Sequence, residues 1–477
     1  MELSKEQKYA FEKFRQGQNL FITGPGGSGK SKLINDFVLY SAKMNHSIQV
    51  TALTGCAAIL LGNSAKTIHS WSGIKTCRGE NNSIIEQIIK NKKAMKNWKS
   101  TKILIIDEVS MMSSKMFDVL NNTGKIIRNN DKPFGGIQIV LTGDFYQLPP
   151  IETAGDPESG KFCFESIEWK KIFSYENHVV LTKIFRQNDE VYINILNEIR
   201  KGELSEDNAK LLSGYVNRTY DKEAHNGVSL TKLYPIKNSV DFINNSMFNA
   251  LEDEAKTYNM LIDINAVIYN TTKKPIEEGV LEICKKASKY EIDTEINFLK
   301  NNTPCVETLQ LKLGATVMCT ANLDIENGIC NGSQGIIIDF VDKSPKVRFS
   351  NNIIMTLDYH IWQSEKYPTI SISQYPLILA WALTIHKIQG TTLQMAEMDI
   401  GRDVFAYGQT YVALSRIRSL EGLYLSCFDP KKVKANPKVK EFYESIPENE
   451  YTITNIFDDF KHEEELPRSK DIKIIKL

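Results

Sequence analysis

The chain has no C-x-x-C pair: its eight cysteines stand apart, at 56, 77, 163, 284, 305, 319, 330 and 427. Cysteines so scattered argue against structural zinc or an iron–sulfur cluster and fit a reducing compartment. No run of about 18 apolar residues occurs, so no membrane span and no membrane partner is expected. The opening MELSKEQKYAFEKF carries Glu2, Glu6 and Glu12 and lacks a long apolar core. That argues against a secretory signal and matches a mitochondrial presequence poorly. An intracellular protein is expected, with nucleus, cytoplasm and viral factory all open. Net charge is missing too, since 58 Lys and Arg balance 58 Asp and Glu. A polyanion-binding chain often carries a global basic excess, so any nucleic-acid site here must be a local groove.

What is present is an ordinary globular composition, 42% hydrophobic and 24% charged over 477 residues, a length that suits about three domains. Apolar runs at 20–23, 48–52, 103–106, 137–142 and 178–182 alternate with helical stretches, as in a parallel α/β sheet. Between the second and third runs lies a Lys- and Asn-rich stretch, 74–100, too polar to be core and long enough for a small insertion. A second α/β set is expected from runs at 228–231, 316–319, 376–381 and 422–426. Residues 250–310 are charged and irregular, and 316–375 carry short β-like runs with turn signals that suit a small antiparallel barrel. Beyond about 430 a helix and then a flexible tail are expected for 431–477.

Residues 20–34, LFITGPGGSGKSKLI, hold the strongest local signal. Gly24-x-x-x-x-Gly29-Lys30-Ser31 fits the P-loop pattern between an apolar strand and a helix start. The backbone N–H groups of Gly24, Gly26, Gly27, Ser28 and Gly29 could turn inward around a β-phosphate, helped by the helix N-terminus. Lys30 would reach the β- and γ-phosphates of ATP, and Ser31 would ligate Mg²⁺. The run ILIIDEVSMM ends a strand in Asp107 and Glu108, at the edge where open α/β sheets bind ligands. Asp107 would hold the metal's water shell and Glu108 would serve as general base. The next strand leads into LTGDFYQLPP, where Gln147 could bond both a γ-phosphate and a water.

These motifs, with LSKEQKYAF (3–11), TALTGCAA (51–58), AKTIHSW (65–71), LTKIFRQND (181–189), NGICNGSQG (327–335), LAWALTIHKIQGTTL (379–393) and YVALSRIRSLEGL (411–423), resemble a superfamily-one DNA helicase of the Pif (petite integration frequency) branch, close to RecD- and Dda-type helicases. The resemblance spans about residues 3–430 and rests on the order and spacing of the motifs. It implies an α/β chain of two RecA-like P-loop NTPase domains, 1–183 and 184–430. It also implies a short wedge within 74–100 of the first and an SH3-like barrel at about 316–375 of the second. Carried over, Gln7 contacts adenine, Arg186 and Arg416 reach the γ-phosphate from the second domain, and Gly390 lets that domain's backbone approach it. A guanidinium brought across a cleft would stabilise the charge that phosphoryl transfer spreads over equatorial oxygens, and would tie hydrolysis to closure.

The resemblance puts Thr54, Thr67, His69 and Trp71 on the single-strand path of the first domain, and Thr384, His386, Lys387, Asn331 and Ser333 on that of the second. Hydroxyls and amides at loop ends suit phosphates, and aromatic faces can stack on bases. On the residues alone, Trp71 is as well placed for core as for DNA, and His69 could cap a helix. The implied activity is 5′→3′ translocation by a monomer on single-stranded and forked DNA. Two other readings stay open: a helicase on RNA or RNA–DNA hybrids, and a nucleotide-dependent single-strand binder that does not unwind.

Overall fold

The computed structural model describes residues 3–447, apart from 63–64, 76, 222–229, 265–286, 304, 322, 325–326, 328, 330, 365–366 and 368. The expected tail therefore lies outside the described residues from 448 onward. The chain divides into two compact units, 1–186 with 436–477, and 187–435. The first boundary falls three residues beyond the expected one. The stretch after Ala435 joins unit 1, where a separate terminal segment was expected.

Unit 1 is built on a six-stranded parallel sheet of β1 (Leu20–Thr23), β2 (Ile48–Ala52), β3 (Lys66–Thr67), β4 (Ile103–Asp107), β5 (Gln138–Gly143) and β6 (His178–Val180). Its spatial order is β3-β2-β4-β5-β1-β6. Strands covered on both faces have no use for alternation, which is why LFIT and ILIID read as unbroken apolar runs. Helix α1 (Lys5–Arg15) is started by a capping box, in which Ser4 and Gln7 satisfy each other's backbone N–H groups. Phe14 of α1 stacks at 4.1 Å on Phe37 of α2 (Lys30–Lys43), the helix that follows the P-loop. Burying such rings contributes about 2 kcal/mol each and fixes both helices to one face of the sheet.

The 74–100 stretch departs from its expected exclusion from the core. Helices Asn81–Lys90 and Lys92–Ser100 bury Ile84, Ile85, Ile88, Ala94 and Trp98. The many Lys and Asn occupy their outer faces, a helical period that bulk polarity conceals. The stretch thus forms two helices joined at Asn91, with about 74–80 preceding them.

Unit 2 holds a four-stranded parallel sheet in the spatial order Ala382–Thr384, Lys232–Tyr234, Ala396–Ile400, Leu423–Phe428. Of the four runs expected here, only 422–426 forms a strand of this sheet in place. The run at 228–231 lies partly outside the described residues and precedes Lys232–Tyr234. Strands Thr316–Cys319 and Leu377–Leu379 instead pair antiparallel with each other. They belong to a five-stranded antiparallel sheet with Gln334–Val341, Ser344–Phe349 and Ile354–Thr356. The apolar run 376–384 thus serves two sheets, breaking at Ala380 and Trp381. Further antiparallel pairs, Lys256–Asn259 with Thr308–Leu311 and Leu261–Asp263 with Ser371–Gln374, carry β-structure well upstream of 316.

The helix Pro437–Glu444, which returns to unit 1, starts with Pro at its first position and an Asn436 cap that accepts from Lys438 N–H at 3.0 Å. It seats Phe442 against Phe164 (4.2 Å, stacked) and edge-on to Phe145 (5.5 Å) and Phe21 (5.9 Å).

Candidate nucleotide and single-strand sites

Register places the acidic and phosphate-binding candidates side by side. Ala52 pairs with both Thr67 and Asp107, and Thr142 pairs with Ile22, so the carboxyl ends of β3, β2, β4, β5 and β1 form one edge. The loop 24–29 leaves β1 at that edge. Gly24 has φ 150°, and a Cβ there would lie 2.5 Å from the Leu181 carbonyl. Gly29 has φ 85°, and a Cβ would lie 2.6 Å from Gln7 Nε2. Both positions disfavour a side chain by conformation, and Gly24 also by space, since its close neighbour is backbone. Between them lie Gly26, Gly27 (φ 86°) and Ser28. The loop is braced from outside: Leu181 N–H donates to Thr23 O at 2.7 Å, and Phe185 N–H to Gly27 O at 2.8 Å.

Lys30 Nζ donates to Gly24 O (2.6 Å), Pro25 O (3.0 Å) and Ser28 Oγ (3.4 Å), which holds the ammonium over the loop. Ser31 is exposed beside it. Gln7 is buried, with Nε2 directed at Ser28 O (3.5 Å) and Oε1 accepting from Ser4 N–H (3.0 Å). The glutamine therefore joins α1 to the loop.

Asp107 is buried, and the Thr142 hydroxyl donates to it. Burial pushes the Asp107 carboxyl up, against the opposite pulls of the Thr142 hydroxyl, the Glu108 backbone N–H and the Lys30 charge. Glu108 follows in the left-handed region (φ 57°, ψ 41°). A non-glycine residue held there costs about 1–3 kcal/mol and is characteristic of functional sites. Just beyond the neighbouring β5, Asp144 and Gln147 are buried in a turn closed by Gln147 N–H to Asp144 O at 2.9 Å.

Arg186 is half-buried at the end of unit 1, where the expectation placed it on the second domain. The Phe185–Gly27 bond explains this, because it fastens the preceding segment to the P-loop. The next residue, Gln187, is in unit 2 and donates to Ser415 O (3.4 Å) and Ile417 O (3.1 Å), on either side of Arg416. Arg416 is 1% exposed; its guanidinium donates to Val412 O, Thr391 O and Ser415 Oγ. Gly390, at φ 83°, directly precedes Thr391, so these two unit 2 candidates share one locality.

Among the single-strand candidates of unit 1, Thr54 and Thr67 are helix caps that accept from Ala57 N–H and Ser70 N–H, each at 3.2 Å. It is Thr67 that caps the helix Ile68–Ser72, and His69 lies within it. Burial depresses the His69 imidazole below its ordinary value. Trp71 is 1% exposed and packs on Trp98 at 4.6 Å, so it is core and has no face open to a base. In unit 2, Thr384 caps the turn Ile385–Ile388 by accepting from Lys387 N–H at 3.3 Å. Lys387 is exposed, and His386 stacks on the exposed Phe405 at 6.0 Å. The Asn331–Ser333 turn reaches the same locality, since a Cβ on Gly332 would lie 3.7 Å from Thr391 Cβ.

The sequence profile of the PIF1-like helicase matches residues 2–210, and that of the DNA helicase Pif1 2B domain matches 296–340. The ATP-dependent DNA helicase PIF1 of Xenopus laevis is 34% identical over 97% of this chain and 67% of its own length. The chain belongs to the PIF1-like helicase family. It spans about two thirds of the length of that frog relative. The crystal structure of Pif1 helicase from Candida albicans superposes with TM-score 0.74 at 33% identity, covering 94% of this chain and 100% of that one. A Bacteroides Pif1 helicase in complex with ADP-AlF3 and ssDNA has TM-score 0.63 at 28% identity, covering 93% and 97%. These likenesses establish a PIF1-like ATP-dependent helicase on the two-domain RecA-like fold.

The 2B match begins at 296, upstream of the barrel start expected at about 316. Among described residues, no group of three or more His, Cys, Asp or Glu could hold a metal ion. Sequence reasoning missed Tyr443, whose hydroxyl reaches the ends of β1 and β5. The only signal was the aromatic pair in EFYES, at the end of the expected C-terminal helix.

Proposed function

We propose that this PIF1-like helicase couples ATP hydrolysis to 5′→3′ movement along single-stranded DNA and so opens duplex at forks. The observation that carries it is the convergence of Lys30, Asp107, Glu108 and the Asp144–Gln147 turn on one sheet edge beside a loop whose backbone favours glycine. Ser31 and Asp107 would hold Mg²⁺, which neutralises charge on the β- and γ-phosphates when bound. Lys30 exchanges its loop carbonyls for phosphate oxygens. Glu108 accepts a proton from the attacking water, and Gln147 orients that water. Gln7, which joins α1 to the loop, is the proposed adenine contact.

Arg186 and Arg416 are the proposed carriers of transition-state charge. Gln187, which follows Arg186, donates to the carbonyls on either side of Arg416. Thr54 and Thr67 on one unit, and Thr384, Lys387, Asn331 and Ser333 on the other, are the proposed backbone grips. Loosening one grip while the other holds advances the protein along the strand.

The test uses duplexes with only a 5′ or only a 3′ single-stranded tail. Unwinding from the 5′ tail alone, lost in Lys30→Ala while single-strand binding persists, is the expected outcome. Unwinding from the 3′ tail alone refutes the polarity, and ATP turnover without unwinding from either tail refutes the helicase reading.

A further inference from the structure

The returning helix contributes to the nucleotide site as well as to the fold. Tyr443 Oη lies 2.5 Å from Thr23 Oγ1, 3.1 Å from Phe145 N and 3.4 Å from Asp144 Oδ1. Phe145 N–H donates to it and Tyr443 O–H donates to Asp144, so the Thr23 hydroxyl takes the remaining donor role. Thr23 is the last residue of β1, directly before Gly24, whose carbonyl receives Lys30. Asp144 and Phe145 begin the turn that ends at Gln147. The ring of Tyr443 lies flat on Tyr146 at 4.8 Å and 9°, and Asp144 Oδ1 also accepts from Tyr146 N–H at 3.2 Å. One hydroxyl therefore ties together the two strand ends that carry the phosphate loop and the water-orienting turn.

We propose that Tyr443 is a positioning residue for ATP hydrolysis: its hydroxyl sets the spacing between the P-loop and the Gln147 turn, making the helix 437–444 a working part of the nucleotide site. The inference rests on the reading of 24–31 as that site. β1 and β5 are neighbouring strands, but their hydrogen-bond ladder stops at Thr23 and Gly143. Beyond it the two loops diverge, and Tyr443 spans them at the point of divergence. Small errors in the placement of a water-orienting group lower the rate of the chemical step more than they lower binding.

The experiment is steady-state ATP hydrolysis with saturating single-stranded DNA on the full chain, at a temperature well below every variant's melting transition. Tyr443→Phe keeps the ring and removes only the tie. Its kcat should fall about tenfold, while KM for ATP stays within about twofold. Tyr443→Ala should melt lower still, yet lose no more kcat than Tyr443→Phe. Thr23→Val should reproduce the kcat loss, and the double variant Thr23→Val with Tyr443→Phe should add little to it. Wild-type kcat in Tyr443→Phe, with loss only in Tyr443→Ala, would make the residue a packing element and overturn the proposal. Lys30→Ala separates the two levels: if it leaves hydrolysis intact, the nucleotide-site reading fails; if it abolishes hydrolysis while Tyr443→Phe is silent, only the Tyr443 proposal fails.

Discussion

Asp107 shows what a residue gives up to be useful. Burial holds its carboxyl above the ordinary range, so the ionised form that its proposed Mg²⁺ role requires is the form the fold disfavours. Asp107→Asn removes the buried charge and retains an acceptor for the Thr142 hydroxyl. The variant should melt at a higher temperature than the parent while hydrolysis falls by about a hundredfold or more. Calorimetry and turnover on one preparation check both halves, and a lower melting temperature would contradict the burial argument. His178 is a second residue with a definite sign. Its Nε2 accepts from Trp169 Nε1–H at 3.0 Å and its Nδ1 faces Ser174 O at 2.9 Å, an arrangement that needs the neutral ring. Burial depresses its affinity for a proton below the ordinary 6.5, so on acidification the unfolded chain takes up the proton first. The stability it contributes is full above about pH 6.5 and declines as pH drops below that value. Thermal melts between about pH 7 and about pH 5 should show this loss, and His178→Gln should flatten it.

Among the elements, legibility followed the number of faces a segment buries. β1, β4 and β5 are covered on both sides and were readable as apolar runs within a residue or two of their observed ends. The P-loop was readable because its backbone takes positive φ, which favours glycine, at Gly24 and Gly29. The helices at 81–100 were not, because they bury one narrow stripe and expose Lys and Asn elsewhere. The 376–381 run departs from its expected sheet for a different reason: pairing partners, which local sequence does not encode, put Leu377–Leu379 in the antiparallel sheet and leave the parallel one to Ala382–Thr384 just beyond. Trp71 illustrates the limit for single residues, since only the fold brings Trp98 against it. The returning helix was recognisable as a helix but not as part of unit 1, because its partners lie some hundreds of residues earlier. Its weight can be measured. Phe442→Ala empties a half-buried aromatic slot and should cost about 2 kcal/mol in denaturant unfolding, and a loss near zero would reduce the helix to a surface ornament.

For the whole molecule, a net charge of zero and a polyanionic track are compatible if the basic and hydroxyl groups are local. Counterion release depends on the phosphates contacted and is indifferent to the protein's total charge. Single-strand affinity should therefore fall steeply with salt, by about tenfold or more between about 50 and about 200 mM, in a fluorescence anisotropy titration. Lys387→Ala should make that slope shallower by about one. A flat salt profile would instead place stacking ahead of phosphate contact.

The chain passes between its units twice, after Arg186 and after Ala435. On the ribosome this sets an order of events: unit 1 is nearly complete once β6 has emerged, yet the helix that fills its aromatic slot appears only after residues 187–435 have been made. Until then Phe21, Phe145 and Phe164 lack the ring that covers them. A nascent or interrupted chain consequently presents a greasy notch beside its phosphate loop, the kind of surface chaperones hold and proteases inspect. The late arrival of Phe442 and Tyr443 makes synthesis of residues 187–435 a condition for completing unit 1.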